Sequence, residues 1–139
     1  MKVKDAMHTG VAWVSPETTL AKVARKMRDE DVGAIPVGEA DRLIGMVTDR
    51  DIVCRGLVDG KDPKTLTAAD VMTKGIVYCR MDDEIDNAIE AMKKNKIRRL
   101  TVLDGNKRMV GMLSLGDVAC AASKNQCSEV MQAVSAHHA

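Results

Sequence analysis

The chain carries the same pattern twice, and that duplication restricts the possible folds more than any other feature. Displaced by 65 positions, Asp5 meets Asp70, Met7 meets Met72, Gly10 meets Gly75, Met27 meets Met92 and Val37 meets Val102. After one extra residue in the second copy, Gly45 meets Gly111, Met46 meets Met112, Asp51 meets Asp117 and Cys54 meets Cys120. The two aromatic residues, Trp13 and Tyr78, also fall opposite each other. Single coincidences carry no weight, whereas an ordered series along the whole chain marks an internal repeat, and a repeat must be recognised before its elements are assigned.

The hydrophobic periodicity repeats as well. Leu20, Val23, Ala24 and Met27 stand at i, i+3, i+4 and i+7, and Ile85, Ala88, Ile89 and Met92 occupy the equivalent places. This spacing predicts an amphipathic helix in each copy. Ser15 to Thr19 supplies a turn and a capping hydroxyl before the first helix, and Asp82, Asp83 and Glu84 supply negative charge before the second. Strands are predicted at 11–14, 34–37 and 43–47, and again at 76–79, 100–103 and 109–113. Asp104-Gly105-Asn106 reads as a hairpin turn, with Glu39-Ala40-Asp41 in the matching loop. Closing helices follow at about 49–55 and 116–123. The expectation is an α+β fold, α/β-like in its crossovers, built from tandem βαββα repeats related by a pseudo-twofold. Its divisions are a first repeat at 1–60 with its closing helix and the start of the linker, a second at 61–124, and a tail at 125–139. The linker proper is read at 57–67. The tail is expected to begin as a helix, with Val130, Met131 and Val134 on one face, and to fray at His137 and His138.

The composition excludes several classes of function. In 139 residues, Lys plus Arg number 21 and Asp plus Glu 20, a net charge of +1. Such neutrality argues against bulk attraction to nucleic acid or to a membrane surface. No apolar run approaches the roughly 18 residues of a membrane-spanning helix. The start shows no apolar signal segment, so the expected compartment is the cytoplasm. Cys54, Cys79, Cys120 and Cys127 form no Cys-x-x-Cys pair and have no histidines nearby, which predicts no metal site. They are expected to be reduced thiols, mostly packed in the core.

The chemistry lies in one phrase that each copy repeats. Gly45-Met46-Val47-Thr48-Asp49-Arg50-Asp51 and Gly111-Met112-Leu113-Ser114-Leu115-Gly116-Asp117 both give a glycine, two apolar residues, a hydroxyl, two spacers and an aspartate. A hydroxyl at a strand end and an Asp in the following helical turn can project into one crevice. There the ionised carboxylate, an acceptor only, can take both hydroxyls of a ribose diol. The hydroxyl and the helix N-terminus can meet phosphate oxygens, and the glycine allows close backbone approach. The plainer alternative is that Thr48 and Ser114 only cap a helix whose dipole the Asp complements.

With Asp70-Val71-Met72-Thr73 and Ile35-Pro36-Val37, these two phrases resemble the cystathionine-β-synthase (CBS) domain family, whose paired repeats form Bateman modules. The resemblance runs from about Val3 to Ser123. It implies adenine nucleotide binding in clefts that each combine the phrase of one repeat with strand residues of the other. One cleft would join Thr48 and Asp51 with Val77, Arg98 and Arg99. The other would join Ser114 and Asp117 with Ala12, Gly33 and Ala34, and lacks the basic pair. It also implies a homodimer built through helices.

Other features are weighed against plain structural roles. Lys93, Lys94, Lys96, Arg98 and Arg99 read as a solvated helix end running into a strand, with phosphate binding an even alternative for the two arginines. Trp13 and Tyr78 are expected to cover a core rather than stack on a base. Cys54 and Cys120 are expected to pack as small buried residues rather than form a redox pair, and His8 has no evident co-ligand. No nucleophile is paired with a base. The expected protein is therefore not an enzyme and requires no cofactor. It is a regulatory module whose ligand is AMP, ADP, ATP or an S-adenosyl compound, and its output passes to an unknown effector protein. The rival expectation is a dimerising interaction scaffold with vestigial clefts, responsive to redox state.

Overall fold

The structure is a computed structural model that describes residues 1–74 and 76–136; Gly75, His137, His138 and Ala139 lie outside the described residues. The elements are α1 (Val3–Ala6), β1 (His8–Thr9), α2 (Leu20–Glu30), β2 (Ala34–Glu39), β3 (Arg42–Thr48) and α3 (Asp49–Asp51). A π-helical turn at Ile52–Leu57 continues α3. There follow α4 (Ala68–Val71), β4 (Tyr78–Arg80), α5 (Ile85–Asn95), β5 (Arg99–Leu103), β6 (Met109–Ser114), α6 (Leu115–Ala121) and α7 (Lys124–Ser135). The result is the mixed helix-and-sheet fold that the repeated pattern predicts.

The chain forms two compact units whose limits do not coincide with the sequence repeats. One is Ala12–Ile76; the other joins Met1–Val11 to the chain from Val77 onward. In the second unit the sheet order is β1-β6-β5-β4, with β4 and β5 parallel across the α5 crossover and the other pairs antiparallel. The Ala12–Ile76 unit has the same order in reduced form. Thr73 bridges Met46 of β3, β3 pairs with β2, and Val14 bridges Val37 of β2 in parallel. The outer strand of each sheet thus comes from a segment preceding the other repeat in sequence.

The helices form where periodicity and caps agree. Thr19 caps α2, its hydroxyl accepting from Lys22 N at 3.4 Å. Leu20, Val23 and Met27 are buried, whereas Ala24 is exposed; in α5 all four stripe residues are buried. Each helix stops at a left-handed residue, Asp31 at φ 54° and Lys96 at φ 54°. Their first donors are met by neighbouring chain, with Leu20 N bonding Leu66 O and Ile85 N bonding Met1 O, both at 2.9 Å. The linker is therefore held down, since Ala21 N also bonds Pro63 O at 3.0 Å and Leu66 packs on the core. These contacts satisfy helix-terminal N–H groups that would otherwise need water.

Two differences from the sequence expectation have local causes. The strand expected at 11–14 contributes only Val14 to a ladder, because Gly10 at φ 83° redirects the chain before it and Pro16 lacks a donor after it. The closing helix expected at 49–55 changes to π-helical geometry at Ile52. The wider turn seats Gly56 against α2, where a Cβ would stand 2.7 Å from the Leu20 methyl.

The tail is part of the fold. Val130 and Val134 of α7 are buried in the same core as Ile89, Met92 and Leu113, while Met131 is exposed. Burying a side chain of this size contributes roughly 1.5–3 kcal/mol, which fixes α7 on its unit.

Candidate functional site

The repeated phrase takes the same shape in both units. The β3 strand ends at Thr48, whose hydroxyl accepts from Asp51 N at 3.1 Å, while Thr48 N donates to Asp51 Oδ2 at 2.9 Å. At the end of β6, Ser114 Oγ accepts from Asp117 N at 3.1 Å and Ser114 N donates to Asp117 Oδ2 at 2.8 Å. Both are reciprocal capping boxes. The capping alternative is therefore real, and it still leaves chemistry available. Each hydroxyl keeps its own O–H for donation, and each aspartate keeps Oδ1 clear of the cap. The two carboxylates are largely enclosed, with side chains 14% and 11% exposed. There a charge-assisted bond is stronger than at an open surface.

The remaining oxygens meet different neighbours. Asp51 Oδ1 lies 3.8 Å from Arg55 Nε, one helical turn ahead, whereas Asp117 Oδ1 lies 2.8 Å from His8 Nε2. Asp51 and Arg55 stand at i and i+4, a pairing readable from spacing alone. His8 and Asp117 are remote in sequence, and only the β1–β6 register brings them together: His8 stands opposite Met112 and Thr9 opposite Gly111. This contact has no local signal in the sequence, and it is a pair, not a metal-ligand set, so it does not bear on the expectation that His8 lacks a co-ligand.

The phrase glycines serve packing. A Cβ on Gly111 would collide with the carbonyl oxygen of His8, and one on Gly45 would stand 2.7 Å from Met72 Sδ and 3.1 Å from Thr73 O. Their close approach is to the outer strand of their own sheet.

The strand residues assigned to ligand contact also have definite places. Ala34 opens β2 opposite Thr48, and Gly33 O accepts from Asp49 N at 2.9 Å. A Cβ on Gly33 would stand 3.0 Å from Asp49 Oδ2, so an acidic group lies against that strand end. At the matching point of the other unit, Arg99 pairs with Ser114 and Arg98 O accepts from Leu115 N at 2.8 Å. Within its unit, the basic pair therefore flanks the Ser114 phrase through the backbone; both arginines are exposed. Val77 is half-buried and packs on its unit's core, and Ala12 is half-buried without strand pairing.

Several expectations are corrected. Cys54 and Cys120, expected to be buried, are exposed, because each points away from its closing helix's packed face; Cys127 is half-buried. Cys79 alone joins a core, and burial pushes its thiol up to about 12, so it stays protonated at neutral pH. Tyr78 is 39% exposed and Trp13 only half-buried, so neither seals a core as expected. Lys93, read as solvated, is bonded to Glu90 at 3.0 Å and to Glu129 of α7 at 3.3 Å, and these bonds raise its ammonium above the usual range. Two open depressions of about 500 Å³ each lie away from both phrases, one along α6 and α7 beside Cys127 and Met131, the other along α2 beside Trp13. Among the described residues, no three His, Cys, Asp or Glu side chains gather as a metal site, and no helix is long and apolar enough to cross a membrane.

Comparison with known proteins gives this geometry a context. A sequence model for the CBS domain matches residues 3–55 and 68–124. The CBS domain-containing protein YhcV of Bacillus subtilis is 40% identical over 124 residues, which span 89% of this chain and 87% of that one. Among solved structures, hypoxic response protein I, crystallised with two coordinated zinc ions, superposes with a TM-score of 0.81 at 37% identity. That superposition covers 88% of this chain and 100% of its counterpart. CBSX2 in complex with AMP superposes with a TM-score of 0.74 at 25% identity, covering 86% of this chain and 94% of that one.

Proposed function

Because this chain belongs to the CBS domain family and carries two of its repeats, we propose that it is a regulatory module, not an enzyme, that binds an adenine nucleotide (AMP, ADP or ATP) or an S-adenosyl compound. The observation that carries this reading is the preformed hydroxyl–aspartate phrase in each unit. Its carboxylate is enclosed and pinned through one oxygen, and its second oxygen faces away from the cap. A ribose diol needs an oriented acceptor of this type, and charge-assisted bonds to one contribute roughly 1.5–3 kcal/mol. CBSX2, which shares the fold, is described with AMP.

In this reading Thr48, Asp51, Ser114 and Asp117 take the ribose. Arg98 and Arg99 take phosphate oxygens, for which the guanidinium fork is better suited than an ammonium. Val77, Ala12, Gly33 and Ala34 complete the ligand contacts. No further cofactor is required. The protein works in the cytoplasm as a homodimer, and its ligand-dependent shape is read by an effector protein. A monomer of 15.1 kDa in sedimentation at micromolar concentration would reject the dimer.

The direct test is a thermal-shift screen with AMP, ADP, ATP, adenosine and S-adenosylmethionine. A ligand at 100 times its dissociation constant stabilises by about 2.7 kcal/mol, which raises Tm by several degrees. If no compound at millimolar concentration moves Tm, the nucleotide reading is rejected. One observation favours a second reading, a redox-responsive dimerising scaffold: Cys54 and Cys120 are both exposed thiols. Oxidant-dependent association that is lost when both become Ser would support it, with nucleotide response absent.

A further inference from the structure

We infer that His8 gates the Ser114–Asp117 phrase, holding the carboxylate oxygen that a ribose diol requires, while the Thr48–Asp51 phrase has no such gate. The inference rests on the reading of these phrases as ribose sites and adds a residue that makes the two unequal.

Access to one oxygen decides the matter. A diol that chelates a carboxylate donates two hydrogen bonds, one to each oxygen, and although each oxygen offers about two lone-pair sites, a group already standing against one of them competes for its approach. In Asp117, Oδ2 already accepts from Ser114 N at 2.8 Å, and Oδ1 has His8 Nε2 at 2.8 Å. In Asp51, Oδ2 is engaged likewise by Thr48 N, but the cation nearest Oδ1 is Arg55 at 3.8 Å, beyond hydrogen-bonding distance.

The repeat supplies an internal control. Within its sheet, His8 stands opposite Met112, and in the other unit Thr73 stands opposite Met46 at the equivalent position. Thr73 is exposed and carries no charge, so the same fold exists with and without the imidazole at this point.

The geometry also makes the gate movable. The backbone of His8 is held by pairing with β6, where Gly111 leaves no room for a side chain beneath the His8 carbonyl. Its side chain is 78% exposed, so it can swing into solvent without disturbing the core. The imidazole meets Asp117 through a single contact and is itself exposed to water, which limits what that contact contributes. The expected effect is therefore a bias of threefold to tenfold in affinity, not a block.

The experiment is calorimetric titration of the full chain with adenosine, whose lack of phosphate leaves the arginines out of the comparison. His8→Ala is expected to strengthen the weaker site threefold to tenfold, and most clearly in an Asp51→Asn background that leaves the gated phrase alone. Thr73→His is expected to weaken the stronger site by a similar factor, transplanting the gate. Circular dichroism checks that each variant folds. If the wild type binds adenosine and His8→Ala leaves both affinities unchanged, the gate is overturned while the ribose reading stands. If neither protein binds adenosine, the ribose reading fails and takes the gate with it.

Discussion

The Thr48 and Ser114 phrases descend from one pattern, and they agree and differ in different parts. They agree wherever the backbone is satisfied: both close a capping box with bonds of 2.8–3.1 Å, and in both the hydroxyl directly follows a buried residue of its sheet's core, Thr48 after Val47 and Ser114 after Leu113. They differ in what faces the second carboxylate oxygen, Arg55 at 3.8 Å or His8 at 2.8 Å, and in the strand end beside them. One strand end carries Gly33 under the Asp49 carboxylate, the other Arg98 and Arg99. Losing a cap costs about 1 kcal/mol in every state of the protein, so caps resist change. A partly exposed charge beside the cap costs the fold little, so the two copies are free to specialise there.

The largest expected effect tests whether the carboxylates do more than cap. Asp51→Ala is expected to weaken adenosine nucleotide binding ten- to hundredfold in calorimetry, since each tenfold corresponds to about 1.4 kcal/mol. Its stability should also fall, by about 1 kcal/mol in urea denaturation, through the lost cap. A stability loss with unchanged affinity would leave Asp51 a capping residue only.

The two phrase glycines rest against neighbours of different stiffness. At Gly111 a new Cβ meets the backbone carbonyl of His8, which cannot retreat without breaking the β1–β6 pairing. At Gly45 the closest atom is Met72 Sδ, the flexible end of a side chain. Gly111→Ala is therefore expected to destabilise by about 2–3 kcal/mol and Gly45→Ala by about 1 kcal/mol in the same assay. Equal losses would show that the second contact is no more rigid than the first.

The strand ends come next. Replacing Arg98 and Arg99 with Ala is expected to weaken AMP binding by about tenfold and to leave adenosine binding within twofold. The AMP effect should shrink as salt rises, because both side chains are exposed and their field is screened. Equal losses for AMP and adenosine would mean that the substitutions distort the strand instead of removing phosphate contacts.

The smallest effects come from the two hairpin turns. Ala40 and Asp41 form a two-residue turn at φ 49° and 66°, a conformation that favours glycine or asparagine. Ala40→Gly should raise stability by about 0.5–1 kcal/mol. In the other hairpin the left-handed residue is Lys107, and Gly105 has open space around it. Gly105→Ala should then be neutral or raise stability by up to about 1 kcal/mol through the unfolded chain. Thermal denaturation resolves both, and a loss of stability at either position contradicts the turn geometry.

Most of the fold is legible in the sequence, for reasons that are local. The helical stripes at Leu20–Met27 and Ile85–Met92 follow from a 3.6-residue period, and a one-sided apolar pattern has one way to be buried. The hairpin strands follow from alternation and turn residues, and only their ends moved: β2 runs on to Glu39 and β6 to Ser114. The hydroxyl–x–x–aspartate spacing carried its capping geometry because a cap closes over three residues. Failures came where distant segments decide the outcome. Cys54 and Cys120 have the composition of core residues, and nothing nearby shows that their helices turn them outward. Trp13 could not be recognised as lying outside a ladder without the positive φ of Gly10.

The duplication, the helical faces, the reciprocal caps and the near-balance of charge are all written in the order of residues along the chain. All of these depend on spacings within one turn or one strand, or on counting. Which segment completes which sheet emerges only on folding, and with it the meeting of His8 and Asp117 across 109 positions of chain. Strand pairing is set by the packing of whole faces, and a shift of one residue in the β1–β6 register would turn the imidazole to the opposite side. A contact made through register has no period of its own in the sequence, so it becomes visible only when the sheet is assembled.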